Sequence, residues 1–309
     1  GLMCTLFGWR AVFVVPLVGG IVVAAAGVKL VQNVGERSNA TLDILSVVLL
    51  AAGITAFVYS VGEFSTNLIA GIVTLFAAVV LLGLFAVRQL KLEHPVLNVR
   101  PMASVRFWPA CLLVVVSMMT TFSMSVLLPL YFEGAYGMTA LVAGLLILPA
   151  IACNAVTSIV GGRVMDARGA WPLLPVGFAL IAVGQTAISM TAASMNIGVV
   201  VALTVVVYAG VGLVLSPSQT AGLETLPAAE HPHGTALLNT WNMIAASFGP
   251  SLFIGLLSSS AVAAGAAGVA SDVAQAIGFA AAVRVAAVIA VVGFAVSLVY
   301  ARRESHMSH

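Results

Sequence analysis

The chain has 309 residues, of which 61% are hydrophobic and only 7% charged, and its mean hydropathy is +1.16. An ordinary soluble domain carries roughly 25% charged residues, so lipid must be the main solvent for these side chains. The net charge of +2 is too small to point to nucleic acid, and Cys4, Cys111 and Cys153 give no CxxC pair or disulfide framework.

The chain opens on Gly1, and its first apolar run already ends at Gly8-Trp9-Arg10. No basic start, apolar run and small-residue cleavage site are present, so the sequence is expected to be cut from a longer one. A membrane helix needs roughly 20 apolar residues at 1.5 Å rise to cross about 30 Å of hydrocarbon. The first such run is Ala11 to Val31. The second, Leu42 to Val61, follows Asn39-Ala40-Thr41, a glycosylation pattern that the topology below places on the wrong side for modification. Asp43 opens this helix, where a carboxylate interacts well with the helix dipole, and Glu63 stands at its outer end. Asn67 to Val87 is the third span. The connector from Arg88 to Arg106, with Pro95 and Pro101, reads as a boundary between a three-helix segment and a six-helix block.

That block starts with Pro109 to Tyr131 and Thr139 to Gly161. The stretch from Gly169 to Leu223 holds no charge and gives two spans, Pro172 to Thr191 and Ile197 to Pro217, turning at Ser194-Met195-Asn196. Ala236 to Ser259 follows His231-Pro232-His233, which reads as a solvated turn between helices because no third metal ligand is near. Ser258 to Ser271, rich in Ala, Gly and Ser, is expected to be a loose external loop. In the ninth span, Ala276 to Tyr300, Arg284 is expected to snorkel to the outer interface. Alternating the loops leaves Lys29, Arg37, Arg88, Lys91, Arg100, Arg106, Arg163, Arg168, Arg302 and Arg303 on one side and Arg10 opposite. Lys and Arg accumulate on the cytoplasmic side, so the C-terminus is expected there. The fold class is all-α: a polytopic membrane bundle of about nine transmembrane helices.

Enzyme chemistry finds no support: HExxH, GxSxG and a glycine-rich phosphate loop are absent, and no cofactor or metal is expected. Polar residues instead recur at helical spacing. Ser117, Thr121, Met124, Leu128 and Tyr131 share a face, as do Thr235, Asn239, Asn242 and Ala246. Thr204 with Tyr208, and Ile151, Asn154 and Ser158, form shorter stripes. Such faces point into the bundle, either as interhelical hydrogen bonds or as the wall of an aqueous cavity, and several together favour a cavity.

The ordered segments resemble the fourteen-helix drug/proton antiporters of the major facilitator superfamily, a multidrug efflux permease family. Gly8-Trp9-Arg10 resembles that family's turn between its fifth and sixth helices. Leu128-Pro129-Leu130-Tyr131-Phe132, Gly137-Met138-Thr139 and the run from Ala143 to Pro149 resemble its ninth and tenth helices. The stretch Gly161-Gly162-Arg163-Val164-Met165-Asp166-Ala167-Arg168-Gly169 is similar to the superfamily's cytoplasmic loop signature, with Ala167 where a basic residue is usual. Leu226-Pro227, Gly234 and the run from Ala236 to Thr240 resemble the approach to the thirteenth helix.

The resemblance implies the C-terminal part of that fold. Residues 1–36 would be the remnant of an N-terminal domain, 37–105 a central two-helix insert with its cytoplasmic loop, and 106–309 the six-helix domain. It implies proton-coupled efflux of small amphipathic compounds from the cell membrane, working with protons, the lipid bilayer and a missing N-terminal half. Thr121, Met124, Tyr131, Asn154, Tyr208, Asn239 and Asn242 would line the substrate cavity. Gly162, Asp166, Arg168 and Gly169 would form the cytoplasmic gate, with Asp166 capping the next helix or pairing with an Arg. Glu133 would be the candidate proton or cation contact. The alternatives are a permease for a metabolite such as a sugar or amino acid, and a non-transporting truncated membrane remnant.

Overall fold

Hydrocarbon offers no hydrogen bonds, so an apolar backbone crossing it closes its own bonds as helix. The computed structural model describes residues 10–30, 43–63, 67–92 and 95–305, and among these every regular element is helical. The order is α1 (Ala11–Leu30), α2 (Ile44–Glu63), α3 (Leu68–Lys91), α4 (Phe107–Tyr136), α5 (Ala140–Arg168), α6 (Leu173–Thr191), α7 (Ile197–Glu224), α8 (His231–Ala266) and α9 (Ser271–Ser305). Helices α2 to α9 are each long and apolar enough to cross a membrane, and α1 contributes the shorter apolar helix Phe13–Val28. The protein is an all-α, multi-pass membrane bundle. Asn39-Ala40-Thr41 and Gly8-Trp9 lie outside the described residues.

Polar residues cap the starts of three of these helices, at Asn67, Thr139 and Asn196. Asn67 accepts from the Ala70 amide at 3.1 Å and Asn196 from the Val199 amide at 3.3 Å. Gly137 ends α4 at φ 62°, a left-handed conformation that glycine adopts freely. The turn at Ser194-Met195-Asn196 forms where the sequence places it, with Met195 left-handed.

Two expectations about α8 are corrected. The Ala/Ser/Gly stretch after Ser258 is not a loose loop: α8 runs on to Ala266, leaving residues 267–270 as the connection. Ala is the best helix former, and small size alone breaks nothing. His231-Pro232-His233 is not a turn between helices but the first turn of α8, where proline's missing N–H costs nothing. The His231 imidazole Nε2 lies 3.1 Å from the Leu226 carbonyl and closes the approach to the helix.

Packing within α4–α9 has an internal repeat. Helix α4 packs on α7, α8 and α9, while α7 packs on α4, α6 and α5. Exchanging the triplet α4-α5-α6 with α7-α8-α9 turns one set of pairings into the other. The exchange breaks at one place, where α8 packs closely on α9 but α5 barely touches α6. The hairpin α2–α3 stands beside this block, with α2 against α8. Glycines set the closest crossings. A Cβ on Gly212 of α7 would lie 2.7 Å from the Asn154 carbonyl of α5, and one on Gly177 of α6 would lie 2.9 Å from the Gly210 carbonyl.

Because the obstacle at Gly212 is backbone, it has nowhere to retreat. Gly212→Ala is expected to cost about 1–3 kcal/mol through overpacking. Gly255→Ala, where nothing lies within 4 Å of the new Cβ, should be neutral or slightly stabilising. Thermal unfolding of the two purified variants in detergent checks the contrast; equal melting temperatures contradict it.

Candidate functional site

The polar stripe on α4 lies mostly inside the block. Ser117, Met124, Leu128 and Tyr131 are fully buried, and only Thr121 is partly open, its hydroxyl donating to the Ser117 carbonyl at 2.8 Å. Tyr131 is held from three sides. Its hydroxyl donates to the Ala192 carbonyl at 2.9 Å, lies 3.2 Å from the Tyr136 hydroxyl, and its ring stacks on Phe279 of α9 at 4.2 Å. Met124 and Tyr131 thus present no open surface in this structure; they join α4 to its neighbours.

Open polar surface is found instead on α5 and α8. Asn154 is half-buried on α5, and its amide donates to the Tyr208 carbonyl of α7 at 3.1 Å. That bond brings two of the candidate residues together, although the Tyr208 side chain itself is 5% exposed. Along α8, Thr235 and Asn239 are exposed, while Asn242 is 7% exposed and its carbonyl oxygen has no partner. With α5 on α7, α7 on α4 and α4 on α8, these two amide-bearing helices flank the central pair α4–α7. Asn154 and Asn239 therefore stand on the two helices that flank this pair.

At the end carrying the basic loops, α5 continues through Asp166 and Arg168 to Gly169, which turns at φ 74°. Gly162 is half-buried, whereas Asp166 and Arg168 are exposed. Helix α6 starts at Pro172 without a side-chain cap, so Asp166 does not fill that role. Among the described residues it forms no ion pair either. Glu133 is exposed in the last turn of α4, at the opposite end. Arg284 is exposed on α9. Among the described residues no cluster of three His, Cys, Asp or Glu residues with metal-holding geometry occurs.

Sequence reasoning missed Gln185. This residue of α6 is fully buried, and neither atom of its amide has a hydrogen-bond partner. It lies two turns from Phe178 on the same helix face, and Phe178 with Val116 crowds against Gly293 of α9. The signal available was a lone amide in a charge-free run, at the spacing of the buried residues Phe178 and Ile181.

A family model described as Major Facilitator Superfamily matches residues 1–250. The chain is 30% identical over 261 residues to the lincomycin resistance protein LmrB of Listeria monocytogenes, covering 84% of this chain and 55% of that protein. It is 29% identical over 265 residues to LmrB of Bacillus subtilis, covering 83% and 55%. It is also 31% identical over 294 residues to YcnB of Bacillus subtilis, titled an uncharacterized MFS-type transporter, covering 94% and 62%. The chain thus spans about half the length of the curated relatives it matches, from 47% to 62%.

A buried amide without partners costs roughly 1–3 kcal/mol, which an apolar side chain of similar length avoids. Gln185→Met is expected to raise the thermal midpoint of the purified protein. A lowered midpoint would mean that the amide is satisfied in the membrane, and that its burial stabilises the bundle.

Proposed function

The chain belongs to the Major Facilitator Superfamily, and from that premise we propose that it is part of a secondary active transporter that exports small amphipathic compounds, drugs among them, in exchange for protons. The observation that carries this reading is that the partly open Thr121 and Asn154 and the exposed Asn239, on the central pair and its flanking helices, offer amides and a hydroxyl but no charge. Such a surface suits cargo that is largely lipophilic with a few hydrogen-bonding groups. The similar proteins named for lincomycin resistance support the same class of cargo. Residues 106–309 act as one six-helix domain and residues 37–105 as a two-helix insert with its loop. Alternating access needs a second half rocking against the first around a site near the midplane, so an N-terminal half completes the machine.

Arginine and lysine in the connecting loops favour the cytoplasm, so the end bearing Arg100, Arg106, Arg163 and Arg168 faces inward in the cell membrane, as does the C-terminus. Gly162, Asp166, Arg168 and Gly169 form the cytoplasmic gate, with the exposed Asp166 and Arg168 available to pair across it. At the outer end, Glu133 meets protons or cationic cargo. Met124, Tyr131 and Tyr208 support the wall from behind rather than touching cargo.

The test is accumulation of lipophilic drugs and fluorescent cations in cells expressing the chain together with an N-terminal half, with and without a proton uncoupler. Export that collapses with the uncoupler is expected, and export indifferent to it removes proton coupling. Losing one amide hydrogen bond is worth about 0.5–1.5 kcal/mol, so Asn239→Ala should weaken apparent affinity for cargo roughly 2- to 10-fold. Uptake of a sugar or amino acid in place of drug export would overturn the proposal.

A further inference from the structure

The hairpin α2–α3 reaches the six-helix block by two separate routes. Midway along α2, Phe57 stacks on Phe248 of α8, with ring centroids 5.1 Å apart and planes 22° from parallel. At the basic end a polar network takes over. Arg88 of α3 makes two bonds to Asp43 before α2, Nε to Oδ2 at 2.7 Å and Nη2 to Oδ1 at 3.0 Å. Ser46 donates to the same carboxylate at 2.5 Å. Those bonds, Arg88's foremost, hold the Asp43 carboxyl well below the usual carboxylate range, so the pair stays ionised at neutral pH and is lost only on strong acidification.

Next to Arg88 stands Gln89, 1% exposed. Its amide nitrogen donates to the Ser46 hydroxyl at 2.6 Å, and its carbonyl accepts from the Leu97 amide at 3.0 Å. One buried side chain therefore joins the end of α3, the start of α2 and the connector. Leu97 in turn belongs to an apolar cluster with Phe85 of α3, Phe107 and Cys111 of α4, and Leu237 and Leu238 of α8.

The geometry points to Gln89 as a positioning residue that, with the Phe57–Phe248 stack, fixes the hairpin to α8 so that the two move as one body. The sequence showed only a dipole-capping role for Asp43 and nothing for Gln89. A hairpin tied solely by its chain connections would swing about the connector, because loops are the soft points of a helical bundle. Here the connector is itself sewn in at Leu97. Its next residues are braced too, since the Arg100 guanidinium lies 3.4 Å from the Leu90 carbonyl. The inference stands apart from the choice of cargo and holds even if the proposed efflux fails.

Spin labels placed at Phe76→Cys on α3 and Val262→Cys on α8 test it. Both sites are exposed, at 70% and 72%, so the labels leave the interface intact. Cys4, Cys111 and Cys153 are replaced by Ala in this background. Pulsed electron resonance on the chain in lipid nanodiscs should give a single narrow distance. Gln89→Leu, in protein that remains monodisperse, should at least double the width of that distribution, and Phe57→Ala should broaden it further. A role in stability alone would lower the melting temperature yet leave the distance within folded protein unchanged. Several distances without any substitution at Gln89 or Phe57 would overturn the inference regardless of how the variants fold, and so would a distribution that Gln89→Leu leaves untouched.

Discussion

Polar groups of this chain that enter the bilayer are stabilised by partners inside the protein, because hydrocarbon offers none, and among the described residues Gln185, Asn242 and the Ser117 and Ser218 hydroxyls are buried exceptions. The hydroxyls show the rule at its simplest. Thr121, Thr157, Thr204 and Thr240 each fold back on a carbonyl one turn earlier in their own helix, at 2.8 to 2.9 Å. The O–H donor of such a hydroxyl is used within its own helix, while its lone pairs stay able to accept, and the helix packs against a neighbour almost as if it were apolar. That frees the glycines to set the spacing, and the crossings at Gly177, Gly210 and Gly212 bring backbones close enough for dispersion contacts to hold helices that the hydrophobic effect no longer drives together.

The same rule explains two tyrosines at opposite ends of the block. Tyr131, near the end of α4, donates to the carbonyl of Ala192 just past α6. Tyr300, near the end of α9, donates to the carbonyl of Ala221 near the end of α7, at 3.0 Å. Under the exchange of α4-α5-α6 with α7-α8-α9, each bond joins the ends of the first and third helices of a triplet. The donor sits on the first helix in one triplet and on the third in the other. A ring that is apolar along its flank and polar at its tip suits a helix end, where carbonyls can take a further donor, although the Ala192 carbonyl also accepts from the Met195 amide at 3.1 Å.

The helices were legible because apolar length is a property of each segment alone, and turn chemistry at Asn67, Gly137 and Asn196 marked their ends. The extent of α8 was not, since alanine-rich sequence reads as loose while it folds as helix. The site was harder for a related reason. Helical spacing says which residues share a face but not what that face meets. The stripe on α4 and the stripe on α8 look alike in sequence, yet α4 is enclosed by α7, α8 and α9, while α8 leaves Asn239 open. Gln89 and Gln185 were passed over for the same cause, as a single amide carries no periodic signal.

Carboxylates in the described helices are confined to their ends. Asp43 is bound to Arg88, Glu63 and Glu133 close α2 and α4, Asp166 and Glu224 lie at the basic end, and Asp272 starts α9. A carboxylate at mid-bilayer costs at least roughly 2.5 kcal/mol unless paired, and these spans avoid that cost entirely. For a proton-driven exchange this has a definite consequence. Under the proposed proton exchange, cargo and proton do not share a buried acid within α4–α9, and a carboxylate-based coupling would use the acids at the helix ends or a carboxylate on another segment. The second route asks nothing of α4–α9 except that they present an uncharged wall, the role proposed above for the helices bearing Asn154 and Asn239.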